Sequence, residues 1–297
     1  MSIRLGSNQY GKSESRMVRI YRDSARHEIR DLNVSTALRG DFTAAHLVGD
    51  QSRVLPTDTQ KQMVYAYAKE KGVGEIEDFA LDLGRHFVHD VEPVTGCRVE
   101  VAEYAWERIR VGGREHDHSW ARRGQEVRTT ALTVDGDTET LVSGLEGLVL
   151  LKSTGSEFSG FLTDEYTVLE PTHDRIMATS LTARWRYLGT DHDWASSYAD
   201  IRQLVVERFA EVHSLALQQT LYAMGEAVLE AHPEVAEIRF SAPNKHHFGY
   251  DLSPFGLENP GEVFFAADRP YGLIQASVLR DDAPPADQAW VSIAGFC

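Results

Sequence analysis

The order in which strand-like and helix-like segments follow each other is the feature of this sequence that most restricts its fold. Strand-like segments, rich in β-branched, aromatic and alternating apolar residues, lie near residues 17–34, 99–109, 126–134, 138–151, 175–187, 236–241 and 262–279. Segments with apolar residues at helical spacing lie at residues 57–69, 76–88, 195–212 and 215–230. With residues 17–34 taken as two strands, two strands, two helices and two strands follow in turn, and this order recurs. The sequence therefore predicts an α+β fold with antiparallel strands.

The recurrence predicts two tandem ββααββ units in one chain of 297 residues. We place the first unit at residues 1–136 and the second at residues 137–297, because Asp135-Gly136-Asp137 is typical of a hairpin turn. The duplication lies in element order, since the halves show no residue-by-residue repeat. An antiparallel sheet with helices on one face leaves strand edges to be covered. Several chains closing into an oligomeric barrel would cover them.

The charge balance limits the partners of the chain. Lys and Arg number 30 against 45 Asp and Glu, and the formal net charge of −15 repels nucleic acid and anionic lipid. No window approaches about eighteen apolar residues, and the N-terminal residues lack the apolar core of a secretory signal. We therefore expect no nucleic-acid partner and no membrane association. An anionic small substrate would need a locally positive pocket.

Several widespread kinds of chemistry have no signature in this sequence. The chain contains no phosphate-binding loop, no dinucleotide fingerprint, no nucleophile elbow and no zinc-protease helix. Its two cysteines, Cys97 and Cys297, are too few for a disulfide framework. We expect both to be free thiols in a reducing cytoplasm.

Two histidine pairs stand out. His116 and His118 have a spacing that is compatible with a metal site, but a polar loop or a solvated strand is the favoured explanation. His246 and His247 follow a strand-like segment. Because neighbours on a strand point to opposite faces, only one of this pair is expected to face a given pocket.

Four polar segments lie at the ends of strands or the starts of helices: Thr57–Gln60, Lys152–Phe161, Leu217–Thr220 and Pro243–Phe248. The first predicts a capping box, in which the Thr57 hydroxyl bonds the Gln60 amide and the Gln60 side chain bonds back to Thr57. A helix start also offers free amides and positive partial charge to an anion. Each segment alone is explained by an ordinary helix start or loop, although such loops often carry function.

Taken together, these segments resemble the urate oxidase (uricase) family in its bacterial form. The matching stretches follow family order over nearly the whole chain, and they are Asn8–Lys12, Thr57–Lys61, Leu150–Thr154 with Gly160-Phe161, Asp174–Ile176, Gln218–Tyr222 and Pro243–His247. The resemblance implies the tunnelling fold (T-fold), with two ββααββ units per chain and a homotetramer whose active sites lie at subunit interfaces. It also implies that urate, O2 and water react to 5-hydroxyisourate and H2O2 without metal, flavin or haem.

The same resemblance implies substrate contacts. Arg175 and Gln218 would grip the flat anionic purine at its edges, because a guanidinium fork and an amide complement its carbonyl and N–H groups. Phe158 would stack on the purine plane. The backbone amides of Leu217 and Asp58 would add further contacts.

A proton relay of Lys12, Thr57 and His246 is also implied by the resemblance. A hydroxyl both donates and accepts, and a histidine titrates near neutrality, so these groups suit proton transfer. Asn244 and Thr57 would hold O2 above the purine. Thr57 and Asp58 would come from the adjacent subunit, and mixed tetramers of Lys12 and Thr57 variants would then regain some activity.

Two alternatives remain open. A zinc-dependent T-fold enzyme acting on a pterin or a purine, such as a tetrahydropterin synthase or GTP cyclohydrolase relative, would bind stoichiometric zinc. A non-catalytic purine-binding oligomer would bind urate without consuming it. The ending Ala294–Cys297 differs from the peroxisomal Ser-Lys-Leu of eukaryotic relatives, which favours a bacterial-type cytoplasmic enzyme.

Overall fold

The structure, a computed structural model, describes residues 3–294 and divides them into two compact units. Unit 1 comprises residues 3–144, 185–197 and 284–294, and unit 2 comprises Leu145–Arg184 and Tyr198–Ala283. The sequence repeat boundary between residues 136 and 137 is a different kind of division and stays a prediction. Cys297 lies outside the described residues, so its state as a free thiol also stays a prediction.

Unit 1 contains a sheet of long strands that follow one another in chain order. Each strand is antiparallel to the next, and they are β1 (Tyr10–Tyr21), β2 (Glu28–Gly40), β3 (Val94–Val111) and β4 (Arg114–Asp135). β5 (Thr138–Lys152) neighbours β4 after a turn at Gly136, whose φ of 57° suits a glycine. The predicted hairpin turn is confirmed.

Three helices of unit 1 follow β2, and they are α1 (Thr43–Val48), α2 (Thr57–Glu70) and α3 (Ile76–Asp90). α3 packs on β3 and β4 and buries Phe79, Leu83 and Phe87, which are spaced four residues apart on one helix face. α2 packs beside β1. The core of unit 1 therefore lies between one sheet face and these helices, and it includes Cys97, whose pKa burial raises to about 12.

Unit 2 combines a second set of strands with two long helices. These elements are the end of β5, most of β6 (Met177–Tyr187), most of α4 (Trp194–Glu211), α5 (Leu217–Ala231), β7 (Val235–Asn244), β8 (His247–Gly249), β9 (Phe264–Ala266) and β10 (Gly272–Leu279). β7 pairs with β10 antiparallel, and β8 pairs with β9 in a separate ribbon. α5 packs on this sheet so closely that a Cβ at Gly225 would lie 2.5 Å from Val278.

The predicted α+β class with mainly antiparallel strands is confirmed. The helices α2 to α5 lie within about two residues of the predicted ranges, as boundary uncertainty allows. The hairpin of β3 and β4 is longer than predicted, and α1 is an additional short helix. Within residues 3–294, no helix combines the length and apolar character needed to cross a bilayer.

Candidate active site

A cavity of about 910 Å³ in unit 2 gathers six of the predicted site residues. It lies where the start of α5, the end of β7 and the segment 156–176 meet. The predicted residues that line it are Phe158, Arg175, Leu217, Gln218, Asn244 and His246. The sequence spreads these residues over 89 positions, so the fold brings together side chains that are distant along the chain.

The Arg175 side chain is directed into this cavity by backbone pairing of its segment. The Arg175 amide donates to the Ser156 carbonyl at 2.9 Å, and its Nε donates to the Ser156 hydroxyl at 3.4 Å. The guanidinium lies over the Phe158 ring, 5.1 Å from the centroid. Burial lowers the pKa of Arg175, yet a guanidinium stays charged at neutral pH. The cavity therefore offers a fixed positive charge beside an aromatic face, although the chain is acidic overall.

Phe158 is held by reciprocal backbone bonds and by a second ring. Its amide donates to Thr172 at 2.8 Å, and the Thr172 amide donates back at 2.9 Å. The Phe161 ring stacks on it with 4.9 Å between centroids. The Phe161 ring thus braces the plane of the Phe158 ring, and an aromatic ring of this kind can stack on a flat ligand.

The start of α5 presents Leu217 and Gln218 to the same cavity. Leu217 is buried, with 2% of its surface exposed, whereas Gln218 is exposed. The preceding Ala216 supplies no side-chain cap, so the first amides of the helix are available as donors with positive partial charge. A helix start with an amide side chain can bind a polar or anionic ligand edge.

Asn244 ends β7, and His246 follows in a turn that two backbone bonds hold. The Lys245 amide donates to Ala178 at 2.8 Å, and the Ala267 amide donates to His246 at 2.9 Å. Burial, the charge of Arg175 and the nearby His247 lower the pKa of His246, so its imidazole is neutral at neutral pH.

The expectation that only one of His246 and His247 faces a pocket is wrong, because both line this cavity. The alternation rule applies to residues within a strand. His246 precedes β8 and lies outside any strand, so the rule does not reach it.

The remaining predicted residues, Lys12, Thr57 and Asp58, lie in unit 1. Lys12 is on β1 opposite Thr36. Thr57 and Asp58 form the first turn of α2. A hydrogen bond from Lys61, then the charge of Lys61 and, to a smaller extent, the charge of Lys12 lower the pKa of the exposed Asp58, which places Lys12 and the start of α2 near each other in the same unit.

The predicted capping box at Thr57–Gln60 is wrong. Pro56 precedes the helix and supplies no side-chain cap, and the Gln60 amide donates to the Pro56 carbonyl at 3.2 Å. The Gln60 side chain is fully buried and accepts from the Thr36 hydroxyl at 2.8 Å. Within residues 3–294 the Thr57 hydroxyl makes no hydrogen bond. It is therefore available for a ligand.

Thr57 also lines a second cavity, of about 560 Å³, in unit 1. Its other lining residues are mainly apolar or aromatic and are Tyr10, Phe42, Ala45, His46, Gln51, Val54 and Pro56. This second cavity is therefore mainly apolar, with Thr57 among the few polar residues of its lining.

Two supporting residues were not assigned a role from the sequence. Ser156 is fully buried and bonds Arg175, and Asp174 accepts from the Thr154 hydroxyl at 2.9 Å and the Gly155 amide at 3.2 Å. Ser156 lies two residues before Phe158, and in an extended segment side chains two residues apart point to the same side. This spacing is the feature of the sequence that could have identified Ser156. Nothing in the local pattern pointed to the Asp174 contacts.

The histidine pair on β4 has no part in either cavity. The rings of His116 and His118 lie 4.4 Å apart between centroids, and His118 lies 5.9 Å from His27. Within residues 3–294, no three His, Cys, Asp or Glu side chains are grouped to hold a metal ion. The favoured explanation of the pair as part of a solvated strand agrees with this placement.

Comparison with known proteins decides the family. The family model described as Uricase matches residues 8–133 and 141–275 of this chain. The chain belongs to the uricase family. The uricase of Arthrobacter globiformis is 53% identical over 293 residues, which cover 99% of this chain and 95% of that uricase. The uricase of Dictyostelium discoideum is 35% identical over 277 residues, which cover 92% of this chain and 96% of that uricase.

Solved uricase structures agree with this assignment. The crystal structure of uricase from Arthrobacter globiformis matches with a TM-score of 0.94 at 52% identity, covering 98% of this chain and 99% of that chain. A urate oxidase from Bacillus sp. TB-90 matches with a TM-score of 0.81 at 23% identity, covering 92% of this chain and 100% of that chain, a likeness of fold alone. The predicted membership of the uricase family, in its bacterial form, is confirmed.

Proposed function

We propose that this chain is a urate oxidase that converts urate, O2 and H2O to 5-hydroxyisourate and H2O2. The observation that carries the proposal is the convergence of Arg175, Gln218 and Phe158 on one cavity. A positive charge, an amide that both donates and accepts hydrogen bonds, and an aromatic ring face are suited to recognising a flat anionic purine. Membership of the uricase family supports this substrate.

The purine is bound at its edges and on one face. Arg175 donates in parallel to a carbonyl oxygen and an anionic ring nitrogen. Gln218 donates and accepts at the opposite edge, and the Leu217 amide adds a donor. Phe158 stacks on the plane, braced by Phe161. Arg175 offsets the repulsion that the net charge of −15 imposes on an anion.

Proton transfer is assigned to His246, Lys12 and Thr57. The imidazole of His246 is neutral because burial and Arg175 oppose its charged form, so it has an unprotonated nitrogen that can accept a proton. The unbonded Thr57 hydroxyl passes a proton, since it can donate and accept at once. Lys12 is assigned proton transfer on the substrate side. The Asp58 amide, in the first turn of α2, contacts the substrate.

Asn244 and Thr57 hold O2 and then peroxide above the purine plane. A deprotonated purine is electron-rich and can transfer one electron at a time to triplet O2. The protein then supplies orientation and electrostatics. We propose that the reaction uses no cofactor and no metal.

We propose that the complete site forms between two chains, with unit 1 of one chain opposite unit 2 of another. Lys12, Thr57 and Asp58 belong to unit 1. The residues proposed to bind the purine edges and plane, which are Arg175, Gln218 and Phe158, belong to unit 2. The proposed assembly is a homotetramer with the T-fold barrel. A cytoplasmic location is proposed as well, because two cysteines in a long chain suit a reducing compartment.

Aerobic turnover of urate by metal-depleted protein tests this proposal. We expect urate absorbance to fall while one H2O2 forms per urate, with no effect of a chelator. Arg175→Ala should raise KM for urate about tenfold or more, because an anionic edge loses its charged partner. Arg123→Ala, an exposed arginine on β4, is the control and should leave KM unchanged.

Two results would contradict the proposal in different ways. Binding of urate without its consumption would favour a non-catalytic purine-binding oligomer. Activity that depends on stoichiometric zinc would favour the zinc-dependent T-fold enzymes.

A further inference from the structure

The carboxylate of Glu157 joins three segments behind the cavity. Its Oε1 accepts from His213 Nε2 at 2.6 Å, and its Oε2 accepts from His173 Nδ1 at 3.2 Å. None of these three side chains is among those lining the cavity. Glu157 lies between Ser156 and Phe158, and successive residues of an extended segment point to opposite sides. The three groups therefore sit on the reverse side of the segment that presents Phe158.

Each segment joined by Glu157 carries a group of the candidate site. Glu157 precedes Phe158, His173 lies two residues before Arg175, and His213 lies four residues before Leu217. The carboxylate of Glu157 therefore links the segments that carry the Phe158 ring, the Arg175 guanidinium and the start of α5.

The Arg175 guanidinium is held less firmly than its backbone. Backbone bonds join the three segments, among them those from Glu157 N to Ser214 O at 2.7 Å, Phe158 N to Thr172 O at 2.8 Å and Arg175 N to Ser156 O at 2.9 Å. The side chain itself has a long bond of 3.4 Å to Ser156 and the Phe158 ring. The direction of the guanidinium therefore depends on the position of its backbone segment. Small displacements of a group at a binding site lower activity strongly.

We propose that Glu157 is a positioning residue, whose carboxylate between His213 and His173 holds Phe158, Arg175 and the start of α5 in the geometry that binds the purine. The expected effect of Glu157 on urate binding rests on the proposed function. Its expected effect on how firmly the three segments are held does not.

The carboxylate of this attachment is charged. Hydrogen bonds from His213 and then His173 lower the pKa of Glu157, so the carboxylate is ionised throughout the neutral range. The other charged groups nearby are occupied or fixed: Asp174 accepts from Thr154 and Gly155, and Lys152 donates to the Val212 carbonyl.

The matched variants are Glu157→Ala and Glu165→Ala. Glu165 is an exposed carboxylate in the loop after Phe161, and within residues 3–294 it makes no hydrogen bond or ion pair. We expect Glu157→Ala to raise KM for urate about three- to tenfold near neutral pH and to change kcat less than twofold, because partly exposed charged pairs contribute modestly.

A third variant tests the hydrogen bond from His213. His213→Gln keeps a donor near the position of Nε2. It should retain a near-normal KM for urate.

Hydrogen exchange on the ligand-free protein gives a readout that needs no urate. Exchange in residues 155–158, 172–175 and 213–218 should rise in Glu157→Ala and stay unchanged in Glu165→Ala. If it rises while the unaltered protein consumes no urate, Glu157 holds the segments and the proposed function fails. Unchanged exchange in Glu157→Ala, or a KM for urate equal to that of Glu165→Ala, would overturn the positioning role.

Discussion

At the scale of single residues, the neutral imidazole of His246 is the most directly testable electrostatic feature. Burial and the charge of Arg175 lower its pKa below the ordinary value of 6.5. The folded state therefore binds this proton less readily than the unfolded state. The resulting stability is present above pH 6.5 and is lost as pH falls through the folded-state pKa.

A titration of the His246 ring signal by nuclear magnetic resonance checks this. We expect a midpoint below 6.5 in the substrate-free protein, with the signal assigned by its loss in His246→Gln. Arg175→Gln should move the midpoint upward, because a positive neighbour is removed. Arg123→Gln should leave it in place. A midpoint above 6.5 would contradict the assignment of His246 as a neutral proton acceptor.

Replacement of Thr57 is expected to lower activity with little effect on stability. Because its hydroxyl does not cap α2, Thr57→Val should change the free energy of unfolding by less than about 0.5 kcal/mol. Turnover of urate should fall at least tenfold through loss of the hydroxyl. Chemical denaturation and steady-state rates measure the two effects. A loss of about 1 kcal/mol in stability would indicate a capping role after all.

The sequence predicted residues that line one cavity better than it predicted their hydrogen-bond partners. Thr57 and Gln60 match a capping box locally, but Thr36, far away along the chain, bonds the Gln60 side chain instead. His246 and His247 both reach one cavity because the strand ends before them. Long-range partners and strand ends are set by tertiary packing, which a local pattern does not record.

At the scale of elements, the contact of β1 with β2 at Gly11 positions Lys12. A Cβ at Gly11 would overlap the carbonyl oxygen of Thr36 on β2. Gly11→Ala must therefore push the strands apart beside Lys12. We expect a loss of about 2 kcal/mol or more in stability and a large loss of turnover, measured by denaturant unfolding and steady-state rates.

Gly6→Ala is the matched control, because a Cβ there would meet no atom within 4 Å. It should leave both stability and turnover nearly unchanged. If Gly11→Ala behaved like Gly6→Ala, the close strand contact would have no part in positioning Lys12.

Helices were easier to predict than strands for a physical reason. α2 to α5 each bury an apolar stripe, which gives a periodic signal. β4 spans 22 residues, and its first half is mostly exposed and polar. That half is paired with β3 through backbone hydrogen bonds, which leave no apolar alternation in the sequence. α1, with six residues and none buried, is too short for periodicity.

At the scale of the whole molecule, exposed apolar side chains support association with further copies. Leu162, Tyr166 and Val168 in one loop are 96%, 81% and 91% exposed in the single chain. Surfaces of this kind are uncommon on monomers and mark interaction sites. The sequence predicted a shared active site, but it did not show that Lys12 and Thr57 belong to one unit. Variants at these two positions are therefore expected not to complement each other, contrary to the expectation from sequence.

Activity of mixed oligomers tests the central claim, that each active site takes unit 1 from one chain and unit 2 from another. Thr57→Val and Arg175→Ala alter different units, so co-expressed chains should form some sites with both units intact. Random assembly predicts recovery to about a quarter of the unaltered activity. Lys12→Met mixed with Thr57→Val should recover none, because every site receives an altered unit 1. No recovery in the first mixture, or equal recovery in both, would contradict the shared site.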